Sequence, residues 1–216
     1  MQLKKNLAVL ASSILQRNPV VMRPLSAIER EYQVYREALE EERSRGPFNI
    51  AKADGSASTS ASITTVEMPS LQVDLNEGLP PTDLRRQLHR KLYFAFKNAI
   101  SGKWQMPAAM LTPGDELPQE GLHTLAQEAL SKLFSESTGI QFYHVGTAPV
   151  AVFSESFADR VEAPLGAKHF FFRSQLLAGR LRLTKEVADF GWFVKEELKE
   201  KLSAPYYSSI EPILSE

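Results

Sequence analysis

Histidine, cysteine and clustered carboxylates are the residues that could do chemistry in this chain, and their spacing gives little to work with. His89, His123, His144 and His169 are the only histidines, and no two stand at the H-x-x-x-H separation that puts both imidazoles on one metal. There is no cysteine, which excludes disulfides, thiolate metal sites and cysteine nucleophiles. No G-x-S-x-G, G-x-x-x-x-G-K-[ST] or G-x-G-x-x-G occurs. Glu120, Glu128 and Glu136 could supply oxygen ligands to Mg²⁺. On an ideal helix, however, Glu128 and Glu136 point about 80° apart, a poor cluster. Catalytic residues, metal ligands and cofactors are therefore all expected to be none. Phe170, Phe171 and Phe172 could stack on bases, but consecutive aromatics in a strand point to both faces, and a strand buried on both sides explains them more simply.

Charge offers two further candidate surfaces. The formal net charge of −1 argues against a chain coated in nucleic acid. Locally, Arg85, Arg86, Arg90, Lys91, Lys97 and Lys103 follow one another without an intervening acid, and such a strip could meet RNA phosphates or simply form a solvated face. The second surface is apolar: Ile28, Tyr32, Tyr35 and Leu39 recur on one side of a predicted helix whose other side carries Arg30, Glu31, Glu37, Glu40, Glu41 and Arg43. That stripe is a candidate for docking a protein.

The elements that must position these residues follow from periodicity. With 216 residues, 43% of them apolar, the chain has room for one domain and an extension, and no apolar run approaches the roughly 20 residues that span a bilayer. Leu3, Leu7, Leu10 and Ile14 stand at helical spacing among Lys4, Lys5 and Arg17, which resembles a matrix-targeting segment or an ordinary amphipathic helix. Ser26-Ala27-Ile28-Glu29 is a capping box and predicts a helix start, with Gly46-Pro47 as its end. Residues 51–65 are small and polar and predict a linker. Strands are expected near Leu92–Phe96, Gln141–Val145, Ala148–Phe153, His169–Leu177 and Asp189–Val194. A long helix is expected over Pro118–Ser137, and shorter ones over Lys195–Leu202 and Tyr206–Leu214. The expected division is a helical extension over 1–45, a linker over 46–65 and a domain over 66–216.

The order of these features carries a resemblance. A strand, then Trp104-Gln105-Met106-Pro107, a loop, a long helix, Thr138-Gly139-Ile140, further strands and finally Phe190-Gly191-Trp192-Phe193 before a Lys/Glu-rich helix is similar to the Nudix architecture. The fold it implies is α/β, an α/β/α sandwich around a mixed sheet, preceded here by the N-terminal helical extension. Gln16-Arg17-Asn18-Pro19-Val20-Val21, Arg23-Pro24-Leu25-Ser26-Ala27-Ile28-Glu29 and Tyr32 narrow the resemblance to the family of mitochondrial large-subunit ribosomal protein number forty-six. Phe170 to Arg173, Asp189 to Trp192 and Tyr206-Tyr207 also resemble that family. The resemblance implies a structural protein of the mitochondrial large ribosomal subunit, in the matrix, with other large-subunit proteins near the central protuberance as partners and ribosomal RNA as a further one.

The same resemblance allows a test for hydrolase chemistry. Nudix catalysis gathers carboxylates at one end of its signature helix, G-x5-E-x7-R-E-U-x-E-E-x-G-U with U apolar, so that Mg²⁺ can neutralise a diphosphate and position water. With Gly139-Ile140 as the closing pair, the opening glycine falls on Pro118, the first glutamate on Thr124 and the arginine on Lys132. The core glutamates fall on Leu133, Glu136 and Ser137, so one carboxylate of three remains, and Leu133 lies in phase with the apolar stripe of its helix. Two other readings stay open: a divergent Nudix hydrolase of nucleoside diphosphate derivatives using Glu120, Glu128 and Glu136, and a non-ribosomal adaptor docking through the Ser26–Arg43 helix.

Overall fold

Between Lys5 and Arg17 the chain has no charged residue, and this run forms the centre of a sheet. In the computed structural model, which describes residues 7–43, 76–111, 121–134, 139–157, 166–179 and 187–215, the run Leu7–Arg17 is strand β1. The helical spacing of Leu7, Leu10 and Ile14 is thus overruled. Residues 11 to 17 are all buried, which a strand covered on both faces achieves and an amphipathic helix does not. β1 therefore belongs to the sheet domain and not to a helical extension. The chain divides into two units, residues 1–22 with 75–216, and residues 23–74, in place of the boundaries expected at 45 and 66. The linker expected over 46–65 lies outside the described residues.

The smaller unit is described through helix α1, Ala27–Arg43. Its capping box forms as expected: Ser26 N–H donates to Glu29 Oε2 at 2.8 Å and Glu29 N–H to Ser26 Oγ at 3.3 Å. Gly46 and Pro47, expected to end it, lie outside the described residues.

The larger unit is a mixed sheet built around β1. β2 is Leu92–Asn98, β3 Trp104–Gln105, β4 Ala108–Leu111, β5 Gln141–Val145, β6 Ala151–Ser156, β7 Gly166–Ala178 and β8 Val187–Phe193. β1 runs parallel to β7 from Leu7↔Gly166 to Gln16↔Gln175. Its other edge is shared between two antiparallel partners, β4 along Val9–Ser12 and β2 at Gln16–Arg17. β7 divides its far edge in the same way between β6 and β5. β2 continues to β8 on one side and to β3 on the other.

Neighbouring residues of each strand feed opposite faces, and helices cover both. Helix α2, Leu122–Leu133, buries Ala126, Ala129 and Leu130 on the face that presents Ala11, Leu15, Phe94, Phe172 and Trp192. Helices α3, Lys195–Lys201, and α4, Ala204–Ile210, with a following 3-10 turn, Glu211–Ile213, cover the face of Ile14, Tyr93, Phe171 and Phe193. This is the expected α/β/α sandwich with a mixed sheet. Phe171 and Phe172 are core residues on opposite faces, as the doubly buried strand requires. Gly191 is needed for close packing, since a Cβ there would stand 2.5 Å from the Phe193 ring and 3.1 Å from Pro81. No helix among the described residues is long and apolar enough to cross a membrane.

Candidate functional site

The basic strip does not form one cationic face, and the cause is Arg17. Its guanidinium, buried at the end of β1, donates to the backbone carbonyls of Leu84, Arg86, Gln87 and Arg90, so a single side chain ties down the loop ahead of β2. Burial, and secondarily the charge of Arg86, holds the Arg17 pKa below its usual value. Folded over this anchor, the loop aims Arg86 inward. Arg86 is only 5% exposed and donates to Trp192 O at 2.7 Å and to both carboxylate oxygens of Glu197 at 2.9 and 2.6 Å. Arg90 pairs with Glu196 at 2.7 Å, and Arg85 with Asp83 at 2.9 Å. Hydrogen bonds from these arginines hold the Asp83 and Glu196 carboxyls below the usual range. Lys91 donates to Ser215 Oγ.

Arg86 is therefore corrected from a phosphate contact to a buried structural cation, and Arg85 and Arg90 face carboxylates. Lys97 and Lys103 make no ion pair among the described residues. Asp83 stands two residues ahead of Arg85, but the acids that meet Arg86 and Arg90 sit in the first turn of α3, where carboxylates also complement the helix dipole. A local count of charge could not see those two. The signal available in the sequence was Glu196-Glu197 opening a helix.

The residues aligned with a hydrolase signature fare differently. α2 is described over Leu122–Leu133, within the expected Pro118–Ser137, and Pro118, Glu120, Glu136 and Ser137 lie outside the described residues. Thr124 Oγ1 donates to Gly121 O at 2.7 Å. Lys132 lies 3.4 Å from Glu128, and both are exposed. Leu133 is half-buried and packs against the core cluster of Leu15, Phe94, Leu130 and Phe134, less enclosed than its phase implied but on the core side. Beside it a groove of about 570 Å³ is lined by Phe96, Met110, Ala129, Leu133 and Val187, with Lys132 the one charged residue among the described ones. No group of three His, Cys, Asp or Glu residues that could hold a metal exists among the described residues.

Two serine–histidine pairs, unforeseen from sequence, lie within the sheet. Ser174 Oγ bridges Ser13 Oγ at 2.7 Å and His144 Nδ1 at 2.8 Å, and Ser12 Oγ lies 3.3 Å from His169 Nδ1. All three serines are fully buried, so no hydroxyl can meet a substrate. Burial lowers the pKa of both imidazoles, helped at His144 by the nearby His123. These pairs satisfy polar groups that the sheet encloses.

On α1, Ile28 is 78%, Tyr32 63% and Tyr35 63% exposed, and Leu39 is half-buried. No residue of the helix is buried.

No family model matches the chain. Among solved structures it is similar to a Caenorhabditis elegans Ap4A hydrolase, at a TM-score of 0.44 and 7% identity over 94% of this chain and 92% of that one. It is also similar to a Listeria monocytogenes NUDIX hydrolase, at a TM-score of 0.39 and 12% identity over 57% and 81%. Among curated proteins, large ribosomal subunit protein mL46 of Neurospora crassa is 32% identical over 147 residues, 62% of this chain and 38% of that protein. The Bos taurus mL46 is 31% identical over 137 residues, 62% of this chain and 47% of that protein. The match thus spans less than half the length of these relatives. Schizosaccharomyces pombe mL46 matches at 29% identity over 61% of this chain. Over about three fifths of its length the chain is thus similar to mL46 proteins of two fungi and a mammal.

Proposed function

We propose that this chain is a structural constituent of the mitochondrial large ribosomal subunit, resident in the matrix, and that it has no catalytic activity of its own. The observation that carries the reading is the match to mL46 proteins of Neurospora crassa and Bos taurus. The region aligned with the hydrolase signature supports it, because Leu133 packs on the core where a metal-binding glutamate would stand and Glu128 lies beside Lys132. In this reading the chain contacts other large-subunit proteins near the central protuberance, with the exposed stripe of Ile28, Tyr32, Tyr35 and Leu39 as a docking element. Each large side chain buried there would contribute about 1.5 to 3 kcal/mol.

Sedimentation of mitochondrial extract carrying the tagged full chain tests this. The chain should travel with the large subunit, and Tyr35→Ser with Leu39→Ser should shift it toward the top of the gradient. A chain that sediments alone, or a purified chain that hydrolyses a nucleoside diphosphate derivative in Mg²⁺, would overturn the reading.

A further inference from the structure

Helix α1 lacks the support that helices in proteins usually have. It runs for 17 residues and buries none of them. Isolated helices of about this length are marginal in water, and most helical stability in proteins comes from packing an apolar face. The apolar face here is narrow and regular. Ile28, Tyr32, Tyr35 and Leu39 stand 4, 3 and 4 residues apart, and on an ideal helix they share an arc of about 60°. A face that packs on a globular core is wider, about 100° or more, whereas a stripe confined to this spacing is the seam of a coiled coil. Beside the seam, Leu25, Glu29, Tyr32, Gln33 and Arg36 border a hollow of about 260 Å³, of the kind that receives a knob from a facing helix.

The charges beside the seam define what faces it. On one side the acids are already matched: Glu29 meets Arg23 at 2.6 Å and Glu40 meets Arg36 at 3.4 Å. The other side carries Glu31, Ala38 and Glu42, and neither acid makes an ion pair among the described residues.

We propose that α1 is one strand of a two-stranded coiled coil. The other strand is a helix of a neighbouring large-subunit protein, with apolar residues at the same spacing and Lys or Arg on the flank that meets Glu31 and Glu42. The inference rests on the ribosomal reading above for where the partner lies, and on α1 itself for the partner's chemistry. A second copy of this chain fits less well. A parallel pair of copies would gain Glu31 against Arg36, which Glu40 already holds, but would set Glu42 against its own copy at the next seam position after Leu39. In an antiparallel pair the acidic flank would meet itself.

The purified full chain is titrated with two synthetic heptad peptides, both with leucine at the seam positions, one with lysine and the other with glutamate on the flanks. The lysine peptide should bind at least about tenfold more tightly. Glu31→Lys with Glu42→Lys should reverse the preference, and Tyr35→Ser with Leu39→Ser should abolish binding of both. Val34→Asp, on the far side of the helix, should change nothing. Binding of neither peptide, a preference untouched by the charge reversal, or binding lost in Val34→Asp would overturn the inference. In parallel, a photoreactive p-benzoylphenylalanine at Tyr35 is irradiated in large subunits from the gradient and its adduct mapped by mass spectrometry. It should join a helical segment of another protein that has this spacing and a basic flank. An adduct to RNA, to a second copy or to residues 44–74 of the same chain would equally overturn the inference. Failure of the chain to sediment with the subunit would sink the ribosomal reading instead, and the peptide titration would still decide the coiled coil.

Discussion

Strand β1 and helix α1 begin from the same apolar rhythm and end in opposite conditions. Leu7, Leu10 and Ile14 are spaced for a helix just as Ile28, Tyr32, Tyr35 and Leu39 are, yet β1 has residues 11–17 wholly buried while α1 buries none. The difference lies in what separates the apolar residues. In α1 the intervening positions are filled by glutamates and arginines, and a capping box fixes the start. In β1 they are filled by Ala8, Val9, Ala11, Ser12 and Ser13, which can be buried on either face once the serines find partners. A periodic stripe therefore specifies a helix only when the other face is one that water can keep.

The comparison can be broken by exchanging that property between the two segments. Ala11→Asp puts a carboxylate into the apolar cluster of Ala126 and Phe172. Its cost of several kcal/mol rivals an ordinary domain's stability of about 5 to 15 kcal/mol, so the chain should be recovered unfolded or insoluble. Val34→Asp on α1 should move the melting temperature by less than roughly 1 to 2 °C, since exposed substitutions stay within about 0.5 kcal/mol. Equal effects in thermal melts would erase the distinction between the two segments.

A smaller change sharpens it at the end of β1. Arg17→Met keeps much of the buried stem but leaves the carbonyls of Leu84, Arg86, Gln87 and Arg90 without their donor. Hydrogen bonds from a charged donor are worth about 1.5 to 3 kcal/mol each and do not add fully, so a loss of about 3 kcal/mol is expected. Urea unfolding should show it as a lowered midpoint with an unchanged slope. The smallest effect belongs to α1. Hydrogen bonds from the Ser26 backbone and side chain, with Arg23 nearby, hold the Glu29 carboxyl below its usual value. A depressed carboxylate supports the folded form above its unfolded pKa of about 4.3 and loses that support as pH falls through the folded value. The Ser26 amide resonance should therefore shift below about pH 4, following Glu29, and Glu29→Gln should remove that titration.

Much of the sandwich was legible because its strands are aromatic and β-branched. Gln141–Val145 emerges with the expected bounds, and β2, β7 and β8 differ by a few residues at their ends. β1 was not legible, because small residues read equally well as the polar side of a helix or the inside of a sheet. The basic strip was misread for a different reason. Its neutralising partners Glu196 and Glu197 lie 106 and 111 residues away from Arg90 and Arg86, and only the fold brings them together. What sequence did expose was the altered signature, since Leu133 falls on an apolar stripe whatever the surrounding structure.

The parallel pairing of β1 with β7 also has a consequence in time. Ser13 and Ser174, which meet through their hydroxyls, are 161 residues apart, and the strand that precedes the other described ones is at the centre of the sheet. Contacts this distant slow folding, because a long loop must close before any of them is rewarded. During synthesis the uncharged run Leu7–Gln16 waits for β7 to leave the ribosome, and a holding chaperone would protect it meanwhile.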